Sequence, residues 1–123
     1  MAWEALRKAL NGLINKVNAG NMANIVAELF QHNLVRGRGL FCRALLKAQA
    51  ASPGYTPVYA ALVAVLNTKL PEVGDLLLRR IVLAFRKAYK RNNKVVAVPL
   101  VKFIAHLVNQ GVAHEFLALQ VLT

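Results

Sequence analysis

Acidic side chains are scarce in this sequence: five Asp and Glu stand against sixteen Lys and Arg in 123 residues. That leaves little room for the paired carboxylates of general acid–base catalysis. There is one cysteine, Cys42, so no disulfide framework can form within the chain, and a lone thiol fits a reducing compartment. The longest apolar runs, Val58 to Leu66 and Val95 to Val101, fall well short of the ~18–20 residues that cross a bilayer. No membrane partner is expected. Met1 leads straight into a charged helical pattern, which is not a signal peptide. Strand signals are nearly missing too. Val95 to Val98 is β-branched, but Pro99 and the helical spacing after it argue against a strand. Disorder is excluded by a hydrophobic content of 57%, since disordered chains cannot bury that much apolar surface.

What is present is helical periodicity. Trp3, Leu6, Leu10, Leu13 and Val17 recur at three- and four-residue steps, the spacing of one helix face. Ile25, Val26, Leu29 and Phe30 form the stripe of a second helix that Asn21 is placed to cap. A turn at Gly37 and Gly39 precedes a third helix opening with Leu40 and Phe41. Ser52-Pro53-Gly54 stops it. Thr56-Pro57 reads as an N-cap followed by proline at the first helical position. Pro71 starts a long helix reaching Arg91, and Asn92-Asn93 caps another to Gln110, with Pro99 either delaying its start or kinking it. Gly111 breaks that helix, and Val112 to Thr123 begins one more. The pairs begin near Asn21, Thr56 and Asn92, a period of about 36 residues that falls in the range of helical repeats. The tetratricopeptide consensus is missing. The expected fold is therefore all-α, a HEAT-repeat-like stack of antiparallel helix pairs over residues 1–123, cut from a longer solenoid and incomplete at its C-terminal end. The apolar face of Val112, Phe116, Leu117 and Leu119 would then lack its cover.

Reactive constellations are thin. Gly37 and Gly39 are too few, and wrongly set, for a phosphate loop. Cys42 lies on the apolar side of its helix beside Phe41 and Leu45, as a core thiol does. His32, His106 and His114 are scattered, and His106 and His114 have no Cys or carboxylate at ligand spacing except the adjacent Glu115. No metal, no cofactor and no enzymatic activity are expected.

The basic residues say more. On the helix from Pro71, a 100° step puts Arg79, Arg86 and Lys90 in one stripe and Arg80, Lys87 and Arg91 in the next, with Leu77, Ile81, Ala84, Phe85 and Ala88 opposite. Six cations with only Glu72 and Asp75 nearby exceed what solubility needs, and RNA or an acidic protein segment is the partner that such a face fits. The first helix holds a sharper anomaly. Gly12 sits about 180° from Trp3, away from the apolar stripe, at a cost of about 1 kcal/mol relative to alanine. Its outward neighbours Lys8, Asn11, Asn15 and Lys16 make a polar docking patch around a bare backbone.

The segment Asn11 to Asn18 resembles the middle domain of translation initiation factor four-G and, within that superfamily, its pre-mRNA splicing branch. The likeness continues through Leu34 to Leu40, Ala51-Ser52-Pro53, Tyr59 to Ala64, Phe85-Arg86-Lys87, Arg91-Asn92, and Ala105 to Glu115. The resemblance implies a non-catalytic HEAT-type scaffold of the spliceosome, located in the nucleus and its speckles. It implies binding of a DEAD-box ATPase of the initiation-factor-four-A-three type, held inactive and delivered for exon junction complex assembly. It also implies other spliceosomal proteins as partners. Gly12, Asn15 and Lys16 match the family's helicase-contacting patch residue by residue, with Lys8 and Asn11 beside them. A basic helical-repeat RNA-binding module is the alternative, and salt dependence separates the two.

Overall fold

The structure is a computed structural model and describes residues 2–112. It contains α1 (Ala2–Lys16), α2 (Met22–Phe30), α3 (Arg38–Ala51), a 3₁₀ turn (Pro53–Tyr55), α4 (Thr56–Asn67), α5 (Pro71–Lys90) and α6 (Lys94–Asn109). Among the described residues there is no strand. The expected helix at 113–123, with Phe116, Leu117 and Leu119, lies outside the described residues.

The odd-numbered helices lie against one another in sequence, α1 on α3 and α3 on α5, and the even-numbered ones do the same, α2 on α4 and α4 on α6. The two rows pack through α1–α2, α3–α4, α3–α6, α4–α5 and α5–α6. This is the all-helical stack that the sequence predicts, but the pair expected to begin near Asn21 is not formed as expected: α2 packs mainly on α1 and α4 rather than on α3. Its core is one continuous cluster. Phe41, Leu45, Leu62, Leu66, Leu77, Ile81, Phe103 and Leu107 are fully buried in it. Truncating any of these leucines to alanine would cost about 2–5 kcal/mol.

Three local expectations need correction, and at Pro99 one of two alternatives is removed. Trp3 is 51% exposed, because the apolar stripe of α1 is backed by its neighbours only from Leu6 onward. Asn21 stands at the N-cap position of α2 but makes no capping bond there. Its amide closes the end of α1 instead, donating to the Lys16 carbonyl (2.8 Å) and accepting from the Asn18 N–H (2.7 Å). Thr56 is not an N-cap: the 3₁₀ turn makes it the first helical residue. Its buried hydroxyl donates to the Pro53 carbonyl and accepts from Gln49 Nε2 (3.1 Å). Pro99 does not delay α6, which starts at Lys94 with Asn93 Oδ1 accepting from the Val96 N–H (3.3 Å). The carbonyl that proline cannot bond is that of Val95, a residue 85% exposed and open to water.

Two helices end alike. Asn92 (φ 55°) and Gly111 (φ 78°) are left-handed, and each is followed by a bond back across the last turn, Asn93 N–H to Ala88 O and Val112 N–H to Leu107 O, both 2.9 Å. This paired-bond motif satisfies carbonyls that a helix end otherwise leaves free. It sets the sharp reversal between α5 and α6.

Candidate docking groove and cationic ridge

Lys8, Gly12 and Lys16 recur on one face of α1 at four-residue steps, and α2 comes down beside them. Together with Ala9 and Leu13 they line an open groove of about 310 Å³ whose far wall is Glu28 of α2 and His32 of the turn after it. Gly12 forms part of its floor. A Cβ built there would meet nothing within 4 Å, so packing among the described residues does not call for glycine. Asn15 and Lys16 are exposed, whereas Asn11 is half-buried. Asn11 and Asn15 do not line the groove; their four-residue spacing places them together on a ridge next to it. The sequence pattern thus finds the α1 side but not Glu28 and His32. Their approach depends on how α2 is set against α1, and helical period carries no information about that.

Charge at the groove is unspent. Arg7, one residue before Lys8, pairs with Glu4. Its hydrogen bond, helped by its charge, holds the Glu4 carboxyl below the usual carboxylate range, and Arg7 is raised in turn. Lys8, Lys16 and Glu28 have no ion-pair partner within 4.0 Å among the described residues. The groove therefore offers two ammonium groups, a carboxylate, an imidazole and bare helix backbone. That set can grip a protein surface by hydrogen bonds and close approach.

On α5 the cationic face forms as expected, with one exception. Arg79, Arg86, Lys87, Lys90 and Arg91 are exposed. Arg80 is half-buried, and its Nη1 donates to the Gly39 carbonyl of α3 (3.1 Å). Its turn of about 100° from Arg79 points it at α3. Gly39 leaves the room, since a Cβ there would lie 3.2 Å from Arg80 Nη2. Arg80 is a tie between helices and not part of the free face. Beside the remaining cations lies an apolar depression of about 320 Å³ lined by Leu78, Arg79, Val82 and Leu83.

Other candidate chemistry stays dispersed. Cys42 is buried and its Sγ lies 3.8 Å from the Val73 carbonyl. Burial pushes its thiol up to about 11 despite the positive charges of Arg80 and Arg38. Among the described residues no three His, Cys, Asp or Glu gather as metal ligands, and no helix is long and apolar enough to cross a membrane. His114 lies outside the described residues.

Comparison with known proteins places this architecture. The MIF4G domain model matches residues 7–123. The chain belongs to the MIF4G family. Pre-mRNA-splicing factor cwc22 of Aspergillus fumigatus is 65% identical over 122 residues, covering 99% of this MIF4G chain and 14% of the relative. The CWC22 homolog of Xenopus laevis is 58% identical over 123 residues, 100% of this chain and 15% of the relative. Splicing factor cwf22 of Schizosaccharomyces pombe is 56% identical over 122 residues, 99% of the chain and 14% of the relative. The MIF4G chain thus spans about one seventh of the length of these curated relatives. The likeness to the initiation-factor middle domain and its splicing branch, read from Asn11 to Asn18 and the segments after it, holds across the whole chain.

Proposed function

We propose that this chain is the helicase-docking MIF4G unit of a nuclear pre-mRNA splicing factor, a non-catalytic scaffold within the spliceosome and nuclear speckles. In this reading it binds a DEAD-box ATPase of the initiation-factor-four-A-three type through the α1–α2 groove and holds the two lobes of that enzyme apart. It then delivers the enzyme for exon junction complex assembly. Gly12, Asn15 and Lys16 carry the contact, with Lys8 and Asn11 beside them, and other spliceosomal proteins cover further surfaces. One observation supports the site above all: Gly12 is costly to its helix and unneeded by its packing, yet it floors an open groove between two unpaired lysines. The splicing-factor names of the relatives support the setting.

The test is calorimetric titration of the ATPase into Gly12→Leu and Lys16→Glu. Leucine restores helix propensity and projects into the groove, and a partner packed at interior density must retreat from it. Charge reversal at Lys16 leaves a partner acceptor unpaired. Each variant should fold like the parent and bind at least about tenfold more weakly, about 1.4 kcal/mol. The parent, and neither variant, should suppress RNA-stimulated ATP hydrolysis. Unchanged affinity in both folded variants would move the docking site off α1.

A further inference from the structure

The described residues hold four acidic side chains, Glu4, Glu28, Glu72 and Asp75. Glu4 and Glu72 stand in the first turns of α1 and α5, where a negative charge complements the positive end of the helix dipole. Glu4 also pairs with Arg7, and Asp75 follows Glu72 in the N-terminal half of α5. Glu28 alone is set against its helix. It lies in the last turn of α2, which holds no basic residue, and there the dipole disfavours an anion. Its side chain is exposed. No cation stands within ion-pair distance of it among the described residues, His32 four residues on included. Lys8 and Lys16 line the same groove of about 310 Å³ from the opposite wall, yet neither reaches Glu28. Capping, dipole and pairing within the chain all leave this carboxylate without a role.

The groove therefore carries charge of both signs on facing walls, positive on α1 and negative on α2. A partner that meets Lys8 and Lys16 brings acidic or carbonyl groups to the α1 wall. The same surface, seated in the groove, takes water from Glu28. A carboxylate that loses water without gaining a counter-charge weakens binding. One met by a cation strengthens it and fixes which surface docks. Half-buried His32 extends the α2 wall one turn past Glu28.

We propose that Glu28 is a specificity-determining residue of the groove: it receives a lysine or arginine side chain of the docked ATPase, while Lys8 and Lys16 receive acidic or carbonyl groups of the same surface. This role rests on the helicase reading of the groove and adds a second pole to it. An ATPase of the same fold without a cation at that point is rejected, because Glu28 then faces the acidic groups that the lysines attract. The sign of one substitution decides the matter. Removing an unmatched carboxylate from a groove that attracts acidic groups tightens binding, whereas removing one that holds a cation loosens it.

Isothermal calorimetry of the DEAD-box ATPase with the 123-residue chain and its Glu28→Gln, Glu28→Lys and Gly12→Leu variants reads that sign, with a melting curve for each. Glu28→Gln keeps the shape and should bind at least about fivefold more weakly, and Glu28→Lys at least about thirtyfold. Neither should lower the melting temperature, since both take an anion off the C-terminal turn of α2. A charge swap locates the other pole. Among ATPase variants with single surface Lys or Arg changed to Glu, one should bind the Glu28→Lys chain at least about tenfold more tightly than the unmodified ATPase does. Gly12→Leu keeps the two claims apart. If it leaves affinity unchanged, the groove is not the docking site and both fall. If it weakens binding while Glu28→Gln binds as well as the parent or better, the docking site stands and the role of Glu28 is overturned. The role is overturned equally if no charge swap rescues Glu28→Lys.

Discussion

Cys42 and Gly12 are both odd residues in the sequence, and their surroundings give them opposite meanings. The Cys42 thiol, pushed up to about 11 by burial, is protonated at neutral pH, and the thiolate is the reactive form. Native chain at pH 8 should therefore alkylate with iodoacetamide at least about tenfold more slowly than urea-unfolded chain. The same shift makes stability depend on pH. Below the ordinary value of 9.0 both states keep the proton and the contribution is complete. Between 9 and about 11 the unfolded thiol ionises while the folded one does not, so folding stability falls as pH rises through that window. The loss is at most about 2–3 kcal/mol. Urea melts at pH 7, 9 and 11 should show the parent losing this amount relative to Cys42→Ala; parallel curves would contradict it. At Gly12 the space in front of the backbone is open, which is where the proposed partner would approach. Period alone put Gly12, Asn15 and Lys16 on an outward face of α1. Arg80 was out of reach of that reasoning, because a wheel does not say on which side the next helix stands.

The helices themselves were legible, because three- and four-residue apolar spacing survives whatever packs against it. Their ends were less so. Asn21 and Thr56 have the side chains of N-caps, and each found a better acceptor or donor in a neighbouring turn. Gln49 gave no signal at all, since a single polar residue in an apolar stripe looks like drift. In the structure it is fully buried and its Nε2 donates to the Thr56 hydroxyl and the Pro99 carbonyl (2.8 Å), joining α3 to the start of α4 and to α6. Its Oε1 has no partner. Gln49→Glu keeps the shape and removes both donors. At pH 7 it would bury a carboxylate against two oxygens, a loss of about 3–5 kcal/mol. Burial raises the folded pKa of such a group above its unfolded value. Its penalty is then smallest below about pH 4 and grows as pH rises. Thermal melts of parent and variant at pH 4 and pH 7 should show the gap widening with pH. An equal gap at both values would mean that water reaches the site.

At the scale of the molecule the stack keeps its two candidate surfaces apart. The groove belongs to α1 and α2, the ridge to α5, and α3 lies between α1 and α5. In an array of this kind each unit touches only its neighbours, and substitutions farther apart than about 7–10 Å with no shared partner usually add. Neighbouring packed axes lie about 8–10 Å apart, which puts α1 and α5 well beyond that range. The all-helical stack was legible from the apolar spacing, but the 36-residue period paired α2 with α3 whereas α2 packs mainly on α1 and α4, and the separation of the surfaces was not legible either, since both depend on which helices touch. The consequence can be measured by a double-variant cycle. Lys16→Glu should weaken ATPase binding and leave binding of an oligouridylate, the RNA partner that fits the ridge, within about twofold, and the triple glutamine variant of Arg79, Arg86 and Lys90 should do the reverse. The combined variant should show both losses, with a coupling below about 0.5 kcal/mol. The folded parent has a formal net charge of +11, so each charge change also shifts the long-range field, and that part is screened beyond about 8 Å at physiological ionic strength. Titrations repeated at 0.15 M and 0.5 M salt remove it. Coupling above about 1 kcal/mol that persists at the higher salt would mean that groove and ridge act on a shared element, with α3, in contact with both α1 and α5, as the place to look.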